Sequence, residues 1–263
     1  MQAARPLILH RLYMSSTYPS ALYKTIASID KDHFWFTSRN RMIEACIRSS
    51  LPHYAGMRLL EIGCGTGIVL NALERMGFIC TGLDVNAQAL VYARKRTKGQ
   101  LIRRSIFGYT TATKYDVIGA FDVLEHIGDD VKFLQICHRL LAPKGYILLT
   151  VPAGRWLWSR TDVASGHQRR YEEAELRHKL ERAGFRVQKV GYWNALLLPL
   201  YALWHRQPGI NKKDVVAAHL QRMPQAINTL LEWVFFIELR LSSWIRLPIG
   251  ATLVVCAQKG GTA

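Results

Sequence analysis

The chain predicts an α/β fold, a seven-stranded and mostly parallel sheet with helices on both faces. Three observations carry this. Short apolar runs recur along the 263 residues, and most of the intervals between them are filled by segments with helical hydrophobic period. A glycine-rich turn, Gly63-Cys64-Gly65-Thr66-Gly67, joins the first apolar run to a helical pattern. A carboxylate, Asp84, closes the second run. Strands alternating with helices need crossover connections, which lay the helices over a parallel sheet and bury its strands on both sides.

The elements follow in order. Residues 30–50 hold Asp30-Lys31-Asp32-His33-Phe34-Trp35-Phe36, then Arg39, Arg41 and a helical pattern through Met42, Ile43, Cys46 and Ile47, expected beside the sheet. The apolar run at 58–62 is the first strand and 68–75 the helix after the glycine turn. A strand at 78–84, a helix at 87–95 and a strand at 101–106 come next. The run at 115–121 is the fourth strand, and 130–141 a helix. A Pro143-Lys144-Gly145 turn leads to a strand at 146–151, a helix at 172–182 and a strand at 185–190. Gly145 and Gly184 stand where helix caps belong. A last apolar strand is expected at 251–257.

Between 192 and 248 lies an apolar insertion. Its first part, 192–204, has no charge, is shorter than the roughly 20 residues of a bilayer span and contains Pro199. Its second part, 227–247, places Ile227, Leu230, Trp233, Val234, Ile237, Leu241, Trp244 and Ile245 on one helical stripe, with Phe235, Phe236 and Leu239 outside it. Packing of that stripe on the core is one reading. An interfacial anchor is the other, because Trp233, Trp244 and the flanking Arg206, Lys212 and Lys213 suit a membrane surface, while Glu232, Glu238, Arg240 and Arg246 exclude a span. The expected organisation is 1–50 as extension and leading helix, 51–191 as core, 192–248 as insertion and 249–263 as last strand and tail.

Net charge is +16, from 35 basic against 19 acidic residues, and favours anionic partners: lipid head groups, nucleic acid or phosphorylated substrates. Cys46, Cys64, Cys80, Cys137 and Cys256 are odd in number and lack metal-site spacing, so a reducing compartment is expected. Residues 1–29 carry Arg5, Arg11 and Lys24 without an acid, a weak transit-like composition with no long apolar core. The cytoplasm, with the inner membrane face or an organelle left open, is the expected location.

Glycine spacing selects the cofactor. Dinucleotide folds use G-x-G-x-x-G to seat a pyrophosphate, whereas Ile68 stands at that third glycine position and Glu61 precedes the turn. An acid there repels pyrophosphate and suits a ligand with an ammonium and a sulfonium, such as S-adenosylmethionine. The run Leu59-Leu60-Glu61-Ile62-Gly63-Cys64-Gly65-Thr66-Gly67 with Asp84 resembles the first motif of class I S-adenosylmethionine-dependent methyltransferases.

That resemblance implies a Rossmann-like core whose last strand inserts antiparallel. It implies that Gly63 and Gly65 let the backbone meet the methionine moiety with Glu61 nearby, that Cys64 and Gly67 belong to the same cofactor-binding turn, that Asp84 takes the ribose hydroxyls and that Val85 flanks adenine. After the third strand the family usually carries an acid, but here the chain reads Arg104-Ser105-Ile106-Phe107, leaving Ser105 and Ile106 as candidates at the base. The fourth strand ends Phe121-Asp122-Val123-Leu124-Glu125-His126, which is similar to the D-x-L-E-H segment of quinone-type O-methyltransferases and is expected to line the floor of the site. Asp122, Glu125 and His126 also resemble a divalent-metal set in some of these enzymes; loop ordering explains them as well, and no metal is assigned.

After the fifth strand, Trp158, Asp162 and the run Gly166-His167-Gln168-Arg169-Arg170-Tyr171 place aromatics, a histidine and paired arginines above the donor. His167, with His126 as the alternative, is the candidate base. Trp158, Arg169, Arg170 and Tyr171 are candidate acceptor residues, against a reading in which Asp162 and Arg170 form a structural ion pair. The stretch from about Asp30 to Lys259 resembles a bacterial methyltransferase subgroup associated with cell-surface glycan and lipid synthesis.

The expected activity is methyl transfer to an oxygen of an amphipathic or lipid-linked small molecule. Three alternatives stay open. Nitrogen methylation of a metabolite is one; nucleic-acid methylation is disfavoured because the fourth strand lacks a D/N-P-P-aromatic tetrapeptide; a non-catalytic nucleoside-binding membrane protein is the third. Oligomeric state is not legible.

Overall fold

Parallel strands β1 (Arg58–Ile62), β2 (Ile79–Asp84), β3 (Gln100–Arg103), β4 (Tyr115–Phe121) and β5 (Leu141–Pro152) are joined by β6 (Phe185–Trp193) and β7 (Thr252–Lys259) in one sheet of order β3-β2-β1-β4-β5-β7-β6. These come from a computed structural model that describes residues 20–205 and 222–260. β7 runs antiparallel to both its neighbours, β5 and β6. The order reverses at β1, which pairs with β2 on one side and β4 on the other. At such a switch point the two neighbouring loops diverge and leave a crevice beyond the strand ends.

The helices are α1 (Ser20–Ile29), α2 (Phe34–Ser50), α3 (Ile68–Arg75), α4 (Ala87–Ala93), α5 (Asp130–Leu140), α6 (Arg160–Ser165), α7 (Glu173–Arg182), α8 (Leu198–His205) and α9 (Gln225–Leu241). Two apolar layers, one on each sheet face, form the core. One gathers Leu60, Ile118, Phe133, Leu134, Leu149 and Val255; the other gathers Ile43, Ile47, Leu59, Leu70, Leu73 and Phe235. Strand residues alternate between them, as the two-residue period of a strand requires.

Local chemistry explains where the sequence reading of element ends shifts. The third strand stops at Arg103, because the Ser105 side chain accepts the Phe107 N–H at 3.3 Å and turns the chain into a 3₁₀ turn over Ile106–Gly108. Gly145 is not a cap. The left-handed residue is Lys144 (φ 62°), and Gly145 is small because a Cβ there would stand 3.0 Å from the carbonyl oxygens of Ala142 and Asp116. Gly184 does take the left-handed conformation after α7, at φ 92°. The first residues of the insertion, Tyr192 and Trp193, complete β6.

The larger departure concerns α9. Packing of the apolar stripe on the core is contradicted: Ile227, Leu230, Trp233 and Ile237 are 49–63 % exposed, while Asn228, Phe235 and Glu238 are buried. Glu238 accepts the N–H groups of Ala195 and Leu196 at 3.0 Å, capping the turn before α8. Asn228 receives the Phe34 N–H at 2.8 Å and donates to the Asp32 carbonyl at 3.0 Å. Those bonds fix the rotation of the helix, because an unpaired buried backbone group costs more than an exposed leucine. Arg5, Arg11, Arg206, Lys212 and Lys213 lie outside the described residues.

Candidate active site

The glycine turn between β1 and α3 is left-handed at Gly63 (φ 72°), Gly65 (φ 53°) and Gly67 (φ 77°). Side chains are barred by contact as well as by strain. A Cβ at Gly63 would stand 2.6 Å from Val123 Cγ2, and one at Gly67 3.0 Å from the Ala93 backbone. Asp84 at the end of β2 ties the turn down: its Oδ2 accepts the Gly65 N–H and its Oδ1 the Asn86 N–H, each at 2.8 Å. Burial lifts its pKa above the usual carboxylate range, against the pull of the Asn86, Gly65 and Val85 N–H groups. Each oxygen keeps a second lone pair for a ligand hydroxyl.

A cavity of ≈ 780 Å³ opens over these strand ends. Glu61 lies in its floor, in register with Gly82 on β2 and Gly119 on β4, neighbours that have no side chains. Its Oε2 is buried without a hydrogen-bond partner among the described residues. Burial raises the Glu61 pKa well above the usual carboxylate range, and Arg39 nearby draws it back in part. Arg39 of α2 reaches over the floor to Asp122 at 2.8 Å. Asp122 itself is left-handed (φ 57°), held there by its N–H bond to the Thr150 carbonyl and the Thr150 hydroxyl bond to its Oδ1, both 3.0 Å.

Across the cavity, His167 Nδ1 lies 2.8 Å from Asp162 Oδ1. Burial would raise the Asp162 pKa, but bonds from His167 and Arg170 outweigh it and hold the group below the usual range. An ionised carboxylate only accepts, so the Nδ1 of His167 carries the proton of this bond. The Nε2 of His167 lies 3.9 Å from Glu125 Oε1. Glu125 is fully buried and neither of its oxygens takes a hydrogen bond among the described residues. Burial, with Asp122 and Asp162 nearby, lifts its pKa far up. The His126 ring stands edge-on to that of His167 at 4.9 Å, and burial with the neighbouring imidazole depresses its pKa to about 4. Glu125, His126 and His167 offer ligand atoms within 4.8 Å of one another, a set able to hold a divalent cation that replaces Asp122 of the sequence reading with His167.

The structure gathers most of the sequence candidates on this cavity. Glu61, Gly63, Cys64, Gly65, Asp84, Val85, Ser105, Ile106, Phe121, Asp122, His126, His167 and Arg170 all line it. Gly67 does not; it packs against α4. Three acceptor candidates also fall elsewhere. Trp158 is exposed and off the cavity wall. Arg169 bonds Asp130 at 2.7 Å and the Gly128 carbonyl at 2.9 Å. Tyr171 is fully buried, its hydroxyl on Asp130 at 2.9 Å. Arg170 reaches the wall, yet its donors are taken by Asp162, the Ala153 carbonyl and the Tyr201 hydroxyl. The structural ion pair is therefore present.

Sequence reasoning missed the roof. Tyr23 and Ile26 of α1, and Phe34, Phe36 and Arg39 of α2, line the cavity. Buried Asp30 fixes this roof to the glycine turn, accepting from Thr66 Oγ1 at 2.8 Å and Arg96 Nη1 at 2.5 Å. A charge-pair hint existed in the spacing-free acid Asp30 among aromatics, but nothing local in the chain says that Arg96 is its partner.

The model of the methyltransferase domain matches residues 33–190. The chain belongs to the methyltransferase-domain family. A Mycolicibacterium smegmatis protein described as a probable S-adenosylmethionine-dependent methyltransferase is 29 % identical over 180 residues, 66 % of this chain and 68 % of that protein. A Caulobacter ubiquinone biosynthesis O-methyltransferase is 32 % identical over 106 residues, 36 % of this chain and only 41 % of its own length. The N-methyltransferase NodS from Bradyrhizobium japonicum, solved with S-adenosylhomocysteine, shares the fold, with TM-score 0.58 and 15 % identity over 94 % of this chain and 100 % of that one. The protein is a class I methyltransferase that uses S-adenosylmethionine. Its own residues fit that cofactor: the buried Glu61 Oε2, unbonded among the described residues, suits an ammonium, the turn's glycines admit close approach, and Asp84 keeps lone pairs for a ribose.

Proposed function

We propose that this methyltransferase methylates an oxygen of an amphipathic, lipid-like small molecule. One observation carries the reading: a single cavity runs from Glu61, Gly63 and Asp84, past His167, to Leu197, Leu200, Ile227, Leu231 and Phe235 of the insertion. A polar head reaching the donor and an apolar tail between α8 and α9 match that gradient. The match to proteins named ubiquinone biosynthesis O-methyltransferases supports transfer to oxygen, although it spans less than half of their length.

S-adenosylmethionine supplies an electrophilic methyl group on a sulfonium. The chain's residues then have two tasks, alignment and proton removal. Asp84, Glu61 and the glycine turn hold the donor end. Asp162 fixes the tautomer and orientation of His167, whose Nε2 takes the proton of the acceptor hydroxyl. Glu125, protonated by its burial, donates a hydrogen bond to the acceptor, and neutral His126 walls the reacting oxygen.

Turnover with radiolabelled donor and a panel of hydroxylated aromatics differing in alkyl tail length tests the proposal. His167→Ala should lower kcat by about 10²–10⁴-fold with unchanged affinity for S-adenosylhomocysteine. Equal turnover by that variant, or no gain from a tail, refutes the reading.

A further inference from the structure

We propose that the outward face of α9, continued through Trp244 and Ile245, docks on an anionic lipid bilayer and that the acceptor enters the cavity from there. The polarity of this helix is inverted. Leu230, Trp233, Ile237 and Leu241 stand outward at helical spacing and are 40–63 % exposed, and Trp244 beyond them is 87 % exposed. Three of its polar residues face inward instead: Asn228 and Glu238 are buried, and Glu232 accepts from Thr37 at 3.2 Å and Arg41 at 3.3 Å. A helix that hides its glutamates and shows Trp233, with Trp244 exposed beyond its end, is built for an apolar neighbour.

Charge identifies that neighbour. Between residues 222 and 250 the arginines Arg222, Arg240 and Arg246 are exposed, the last of them paired with Glu173, whereas neither glutamate is exposed. With a chain charge of +16, two copies meeting through this face would set arginine against arginine, while an anionic head-group layer complements it. Among the described residues no helix is long and apolar enough to cross a membrane. The helix therefore lies along the interface with its apolar side in the acyl boundary and its arginines at head-group level.

Continuity with the cavity gives the docking a use. Ile227 at the start of α9, Met223 before it and Leu200 of α8 line the cavity and are themselves 36–60 % exposed. The cavity mouth thus opens onto the apolar face, so an amphipathic molecule can pass from a bilayer to the donor with its tail out of water throughout. The route rests on the proposed amphipathic acceptor; the docking does not.

Flotation of the full chain with phosphatidylcholine vesicles, with and without phosphatidylglycerol, tests the docking without any turnover. Binding is expected only with phosphatidylglycerol, with a blue shift of tryptophan fluorescence. Leu230→Ser combined with Trp244→Ser should weaken partitioning about tenfold or more and leave calorimetric binding of S-adenosylhomocysteine unchanged, since neither residue lines the cavity. No flotation of the native chain, or equal flotation of the double variant, overturns the proposal. So does a dimer in sedimentation velocity that the double variant abolishes, because the face would then be covered by a second copy. Failure of S-adenosylhomocysteine to bind would instead strike the methyltransferase reading.

Discussion

The glycine turn and α9 both border the same cavity, yet they relate to their sequences in opposite ways. At the turn, local requirement and tertiary role coincide: a left-handed backbone needs glycine at Gly63 and Gly67, and the close approach of Val123 and Ala93 needs the same missing side chains. In α9 they conflict. The apolar stripe asks for burial, and the capping bonds of Glu238 and the bridge through Asn228 turn it to the outside. Where local and global preferences disagree, the disagreement marks a surface with a task.

The sharpest way to break this comparison is inside α9. Phe235→Ala should cost about 3–5 kcal/mol, because its ring is buried against Trp193 at 4.7 Å and Phe34 at 6.0 Å. Trp233→Ala, two residues earlier, should change stability by no more than about 0.5 kcal/mol. Chemical denaturation of the two variants measures both. Equal losses would mean that the helix presents its other face.

At the turn, Asp84→Ala should weaken S-adenosylhomocysteine binding roughly a hundredfold, from loss of two charge-assisted bonds to backbone N–H groups and of the ribose acceptor. Asp84→Asn, which keeps one acceptor oxygen, should lose less. Calorimetry on variants with unchanged circular dichroism separates the two, and a native affinity in Asp84→Ala would remove Asp84 from the site.

A smaller effect concerns Glu61. A carboxyl whose pKa is raised by folding binds its proton more tightly in the folded chain, so stability falls as pH rises from the unfolded value toward the folded one. Glu61→Gln should therefore raise the melting temperature at pH 7 while weakening cofactor binding. In the native chain, binding of a cationic ligand should release part of a proton, visible as a dependence of the calorimetric heat on buffer ionisation enthalpy. Lower stability together with full affinity in Glu61→Gln would contradict this.

The smallest effect lies at acid pH. Burial would raise Asp130 and Asp162, but the bonds from Lys179, Tyr171 and Arg169 to the first, and from His167 and Arg170 to the second, outweigh it and lower both. Their stabilisation is complete above the unfolded carboxylate value of about 3.9 and fades as pH falls through the folded values. Asp130→Asn should flatten the acid limb of the melting profile below about pH 4; an unchanged limb would place the acid lability elsewhere.

Legibility followed physical range. The helix over Ile68–Arg75, the strand over Arg58–Ile62 and the glycine turn between them were readable because period, turn chemistry and charge act within a few residues. The loop after β5 was half readable. His167 and Arg170 reach the cavity, but their neighbours Arg169 and Tyr171 turn toward Asp130 of α5, a partner about 40 residues away in the chain. No local pattern distinguishes the two pairs.

The sequence determined the α/β alternation and, through the resemblance of its glycine turn and Asp84 to the family's first motif, the cofactor, because hydrophobic period and turn chemistry act between near neighbours. Tertiary structure alone decided the roof, where Asp30, Thr66 and Arg96 converge, and the rotation of α9. These depend on groups far apart in the chain satisfying one another in a dry interior, where an unmet hydrogen bond outweighs a misplaced leucine.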